Sequence, residues 1–115
     1  MKNKNKEIFT THHSGKNLQH LSKSSYDKNF IDMKATLLKK YTASTDLNIL
    51  DLCCATGDYS RYINTNKNTY FGVDFALNML AEFKAGPLFN EAFCLSNADA
   101  NKLPFVGNKF NVCFC

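Results

Sequence analysis

Asn48-Ile49-Leu50-Asp51-Leu52-Cys53-Cys54-Ala55-Thr56-Gly57-Asp58 is the stretch on which the fold turns. Its first six residues are a short apolar run holding one carboxylate, the pattern of a strand buried on both faces. Small residues follow, a turn in which a ligand can approach the backbone before the next helix begins. Upstream, Phe30, Met33, Leu37 and Tyr41 recur at helical spacing, and Ser24 and Asp27 stand at capping-box distance with Asp in place of the usual Glu. That pattern predicts a helix from Tyr26 to near Tyr41, joined to the strand by a polar connection over Thr42–Asp46.

Downstream the alternation continues. Gly57 and Asp58 open a short helical stretch through Ile63, and Thr69–Val73 reads as a second strand. Ala76–Lys84 carries Leu77, Leu80 and Phe83 on one helical face until Gly86-Pro87 breaks it. Phe93–Ala98 is the third strand and Phe110–Cys115 begins a fourth. Strands and helices taking turns predict an α/β fold, a Rossmann-like parallel sheet with right-handed crossovers. Residues 1–22 are polar, with only Ile8, Phe9, Leu18 and Leu21 as large apolar side chains, and read as a loosely ordered tail. Residues 23–115 then form the domain, with a lead-in helix within 24–42 and a ligand-binding part over 48–115.

The chain's 115 residues make about one domain, and 44% hydrophobic with 21% charged residues is an ordinary globular composition. The net charge of +4 gathers at Lys2, Lys4, Lys6 and around Lys39 and Lys40 without an arginine stripe or stacked aromatics, which disfavours a nucleic-acid partner. No stretch reaches the roughly 18 apolar residues of a membrane span, and the lysine-rich start lacks a signal peptide's apolar core. Cys53, Cys54, Cys94, Cys113 and Cys115 are odd in number and lie in apolar runs, so buried thiols in a reducing, cytoplasmic setting are expected rather than a disulfide framework. His12 and His13 lack nearby partners, and no metal site is expected.

In such sheets ligands bind at the carboxyl ends of the strands, where the strand order reverses. Three acids fall at three successive strand ends: Asp51 at the first, ahead of the turn that closes on Asp58, Asp74 at the second and Asp99 at the third. A carboxylate after the second strand suits both hydroxyls of a ribose. One after the third suits the exocyclic amino group of adenine. A dinucleotide's G-x-G-x-x-G fingerprint would fall on Cys53, Ala55 and Asp58 and match none of its glycines, and Asp58 would oppose a pyrophosphate. A nucleoside carrying a sulfonium and an ammonium tolerates that acid, which favours S-adenosylmethionine over NAD.

These residues resemble a known family. Ile49–Asp58 is similar to motif I of class I methyltransferases, particularly the ubiquinone and menaquinone C-methyltransferases. Phe71-Gly72-Val73-Asp74-Phe75-Ala76 with Met79-Leu80, then Asn97-Ala98-Asp99-Ala100, Leu103-Pro104-Phe105 and Lys109-Phe110-Asn111, resemble the family's later motifs in order and spacing. The resemblance spans residues 48–115 and implies a cofactor-binding set of Asp51, Cys53, Ala55, Gly57, Asp74, Phe75, Asp99 and Ala100. It puts Gly57 against the methionine part, Asp51 near its amino group, Asp74 on the ribose, and Asp99 with the Ala100 amide on the adenine. Ala55 stands where the family's middle glycine is usual, and Asn111 where an Asp is usual.

The resemblance further implies a strand order of 3-2-1-4-5, so that the fourth strand is an edge in a chain truncated after it. The function expected is methyl transfer from S-adenosylmethionine to a small, quinone-like acceptor, with this chain as the cofactor-binding half and no catalytic residue assignable. The alternative is a non-catalytic S-adenosylmethionine-binding fragment that needs a partner chain; a basic RNA-associated module is a third class, disfavoured as above. The exposed fourth strand predicts self-association or a partner chain, and adventitious disulfides of Cys113 or Cys115 with Cys53 or Cys54.

Overall fold

The computed structural model describes residues 25–105 and 107–115. The expected tail, His12, His13 and the Ser24 end of the capping pair lie outside them. The elements run α1 (Ser25–Tyr41), β1 (Asn48–Leu52), a 3-10 helix (Asp58–Tyr62), β2 (Thr69–Asp74), α2 (Leu77–Ala85), β3 (Cys94–Asn97) and β4 (Val112–Phe114). All pairings are parallel and the sheet order is β3-β2-β1-β4. The order and the edge position of β4 among the described residues are as the family resemblance implies.

Element ends depart from expectation for local reasons. β1 stops at Leu52 because Cys53 leaves the extended region, with φ 56°. β4 begins two residues later than predicted, after Asn111, whose side-chain oxygen accepts the Asn48 N–H at 2.8 Å while its own N–H donates to the Asn48 carbonyl at 2.9 Å. Asn111 therefore docks the start of β4 beside β1.

Alternation along the strands builds a core on each side of the sheet. On one side Ile49 and Tyr70 pack with Cys54, Ile63, Leu80 and Phe83, and Phe89 and Phe93 extend an aromatic cluster around them. On the other, Leu50, Phe71 and Val73 meet Leu103, Phe105 and Phe110 from the segment between β3 and β4. Among the α1 side chains described, from Lys28 on, the buried ones are Ala35 and Leu38, with Thr42 just beyond, whereas the stripe that marked the helix, Phe30, Met33, Leu37 and Tyr41, is exposed. The helix is where the spacing puts it, but the packed face is the neighbouring one. Leu77 is likewise exposed rather than part of the core; Met79, Leu80 and Phe83 form the buried face of α2.

Gly57 joins the first turn to this core. Its φ is +76°, and a Cβ built there would overlap the Phe83 ring. Gly57→Ala is expected to lower unfolding free energy by about 3 kcal/mol, combining left-handed backbone strain with overpacking. Urea unfolding measures it, and a loss within experimental error would mean that Phe83 moves aside without cost.

Candidate functional site

The strand order reverses between β1 and β4, so a ligand crevice is expected outside their carboxyl ends. The turn leaving β1 is an unusual piece of backbone: Cys53, Ala55 and Gly57 all have positive φ, at 56°, 50° and 76°. Such a path costs energy at the non-glycine positions and must be held by its surroundings. Cys54 donates its N–H to the Val73 carbonyl at 2.9 Å, and Gly57 donates to the Cys54 carbonyl at 2.8 Å. The Ala55 N–H donates to Asp74 Oδ2 at 2.9 Å.

Asp74 is the hub of this arrangement. Its other oxygen, Oδ1, accepts the Ala76 N–H at 2.8 Å, which shapes the turn into α2, and the Phe75 amide also contributes. Its carbonyl accepts the Ala98 N–H at 3.1 Å and the Asn97 side-chain amide at 3.0 Å. The residue is only 1% exposed. Burial raises its pKa, against the three amides, which favour the anion. The acid expected to meet a ribose is thus engaged with the backbone of the two turns that flank the crevice.

Asp51 lies under the same turn, almost wholly buried, and accepts a hydrogen bond from the Tyr70 hydroxyl to Oδ2 at 2.5 Å. Burial pushes its pKa up to about 7, with Tyr70 and the positive charge of Lys34 working against that rise. Lys34 reaches over from α1. Its Nζ donates to the Cys115 carbonyl at 2.6 Å and lies 4.0 Å from the centre of the Tyr59 ring.

Cys53 is exposed, with the Cys115 thiol as an electrostatic neighbour. Burial of the sulfur, then Cys115, pushes the Cys53 pKa up to about 11, and burial pushes Cys54 still higher. Neither offers a thiolate near neutral pH. All five cysteines are free, but only Cys54 is buried, so the expectation of buried thiols fails at Cys53, Cys94, Cys113 and Cys115, which lie at strand ends and on edge strands; no group of three metal-ligating side chains occurs among the described residues.

Of the remaining predicted residues, Phe75 is half-buried after β2, and Asp99 is half-buried after β3 with Oδ1 accepting the Asn101 N–H at 2.9 Å. Ala100 is exposed beside it. The predicted residues from the ends of β1, β2 and β3 therefore share one end of the sheet. Sequence reasoning missed Tyr70 and Lys34. Period-two alternation puts Tyr70 beside Ile49 on a packed face, where a phenol needs a polar partner, and that signal points to Asp51. Lys34 lies one turn from Leu38 on the face of α1 that packs, a position the exposed stripe concealed.

Ala55 explains the family's usual glycine in backbone terms: a φ of 50° is left-handed. Ala55→Gly is expected to stabilise the chain by about 0.5–1 kcal/mol, the relief of left-handed strain exceeding glycine's greater unfolded-state entropy. Denaturant midpoints test this, and a destabilised variant would show that the turn tolerates the methyl at no cost.

Comparison with known proteins agrees with this geometry. Residues 49–115 match a protein family described as a methyltransferase domain. The demethylmenaquinone methyltransferase of Lactococcus lactis subsp. lactis is 36% identical over 86 residues, covering 69% of this chain and 33% of the relative. That of Staphylococcus aureus is 31% identical over 78 residues, covering 65% and 32%. The chain thus spans about a third of the length of these curated relatives. Among solved structures, the plantazolicin methyltransferase BpumL, in complex with a pentazolic desmethylPZN analogue and SAH, superposes with a TM-score of 0.60 at 18% identity, covering 94% of this chain and 44% of its own. That likeness concerns the fold. By the extent of the family match and its identity to these relatives, the chain belongs to the methyltransferase-domain family.

Proposed function

We propose that this chain is the cofactor-binding part of an S-adenosylmethionine-dependent methyltransferase that acts on a small molecule. The observation that carries this reading is the left-handed turn over residues 53–57, tied by Asp74 at the strand-order switch with Asp51 beneath it. A dinucleotide fits this turn less well. A pyrophosphate here would meet Asp58 at the start of a 3-10 helix only five residues long, with the Gly57 N–H already given to the Cys54 carbonyl. An ammonium would have the Asp51 carboxylate beneath the turn instead.

S-adenosylmethionine supplies an electrophilic methyl group that an aligned nucleophile displaces from sulfur. The residues of this chain would orient it: the 53–57 turn along the methionine portion, Asp51 toward its ammonium, and Asp99 with Ala100 toward the adenine. Ribose binding by Asp74 would use the acceptor capacity left beyond the Ala55 and Ala76 amides, with Phe75 alongside. In this reading residues 23–115 are one partial domain, the lead-in helix lies within 24–42 and the cofactor part is 48–115. Free cysteines support a cytoplasmic location, and no helix among the described residues is long and apolar enough to cross a membrane. The names of the relatives support a quinone-like acceptor.

Isothermal titration tests the assignment. S-adenosylhomocysteine is expected to bind in preference to NAD, and Asp74→Ala to weaken that binding more than Asp58→Ala does, by about tenfold or more for a lost charge-assisted hydrogen bond. Equal or tighter NAD binding would overturn the reading.

A second feature favours association with another copy of the chain. Among the described residues β4 pairs only with β1, and a groove of about 380 Å³ between it and α1 is lined by Leu37, Tyr41, Val112 and Phe114. Phe30 and Met33 continue the apolar surface at 49% and 56% exposure. Under reducing conditions the chain is expected to elute from size exclusion as a dimer or larger, and Leu37→Glu to shift it toward monomer. A monodisperse monomer of the unaltered chain would refute self-association.

A further inference from the structure

Asp51 is a buried acid one residue from the carboxyl end of β1, and one side chain is arranged to hold it. Tyr70 projects from β2 beside Gly72, the residue in register with Asp51. A Cβ on Gly72 would stand 3.1 Å from the Tyr70 ring, 3.0 Å from Cys54 Sγ and 2.8 Å from a Leu95 methyl. The glycine thus leaves room for the phenol to lie along the strand toward Asp51. Phe93 and Phe83 flank the ring, with centroids 4.8 Å and 6.0 Å away, and Tyr70 is 1% exposed. The hydroxyl therefore has one direction to point, at Asp51 Oδ2, 2.5 Å away.

We propose that Tyr70 is a positioning residue for this site: its clamped hydroxyl orients the Asp51 carboxylate and favours its anionic form, so that capture of a cationic cofactor is switched by protonation of Asp51. The inference rests on the cofactor reading above and adds to it a residue and a regulation. The charged and titratable groups around Asp51 are Lys34 of α1, Asp74 of β2, Cys53 and Cys54 of the turn, Tyr59 of the 3-10 helix and Cys113 of β4. Lys34 favours the anion and Asp74 opposes it, and neither makes a hydrogen bond to it.

Burial raises the Asp51 pKa from 3.8 to about 7, so the group is neutral below that range and anionic above it. Affinity for an ammonium must then rise as pH increases through about 7. Folding stability runs the other way. An acid with a raised folded pKa contributes stability that is fully present below about 4 and lost as pH rises through about 7.

Two readouts on the 115-residue chain test the proposal. Aspartate carboxyl carbon-13 NMR, with the Asp51 signal assigned through Asp51→Asn, follows the titration directly. Tyr70→Phe keeps the ring and its packing while removing the donor, and is expected to raise the Asp51 midpoint by about one pH unit. Phe93→Leu, which keeps the hydroxyl but loosens the clamp, should shift it in the same direction by less. Isothermal titration with S-adenosylhomocysteine between pH 5.5 and 8 is expected to show about fivefold weaker binding near pH 7 for Tyr70→Phe, and a flat pH profile for Asp51→Asn. Superposable Asp51 titrations in the unaltered chain and Tyr70→Phe would overturn the proposal. A shifted titration without S-adenosylhomocysteine binding at any pH would uphold the pair and overturn the cofactor reading instead.

Discussion

The carboxylate of Asp74 stands between two turns and ties one to the other. One oxygen accepts the amide of Ala55 and the other that of Ala76, so the loop leaving β1 and the loop entering α2 are fastened to a single side chain. Without that fastening, a turn with left-handed residues at positions 53, 55 and 57 would relax toward more ordinary backbone. Burying a carboxylate is costly, and here amide donors offset the cost. Gly57 completes the corner from the other side, its bare Cα set against Phe83 of α2.

A rigid corner at the carboxyl ends of β1 and β2 is what a nucleoside-binding sheet requires, but fold alone does not fix chemistry. The chemical content lies in the contrast between two buried acids on neighbouring strands. Asp74 is surrounded by backbone donors and serves the turns, whereas Asp51 has the phenol of Tyr70 as its side-chain hydrogen-bond partner and titrates near neutrality. Two carboxylates of similar burial therefore take different roles because of the donors beside them. The rest of the molecule supports this division: the aromatic cluster of Tyr70, Phe83, Phe89 and Phe93 braces the phenol, and Lys34 brings a positive charge in from α1.

Much of this was legible in the chain itself. Apolar runs of strand length between helical spacings give the parallel sheet, and the positions of Asp51, Asp74 and Asp99 at strand ends follow from counting residues, since a strand's exit point is a local property. The choice of Ala55 and Gly57 as turn residues is local in the same way.

Tertiary structure decided what those residues touch. Spacing could not tell that α1 packs through Ala35 and Leu38 and leaves Phe30, Met33, Leu37 and Tyr41 in the open, because two adjacent helix faces were both apolar enough to bury. Nor could it tell that Asp74 faces inward onto amides of Ala55 and Ala76, nineteen residues and two residues away in the chain. Tyr70 and Asp51, likewise nineteen residues apart, meet only because parallel pairing of β1 and β2 sets Gly72 opposite Asp51 and leaves space for the ring. The sequence by itself determined the elements, their order and the acids at their ends, all of which depend on short-range pattern. Which acid is clamped, which is titratable and which face is left uncovered depend on contacts between distant segments, and only the folded sheet brings those segments together.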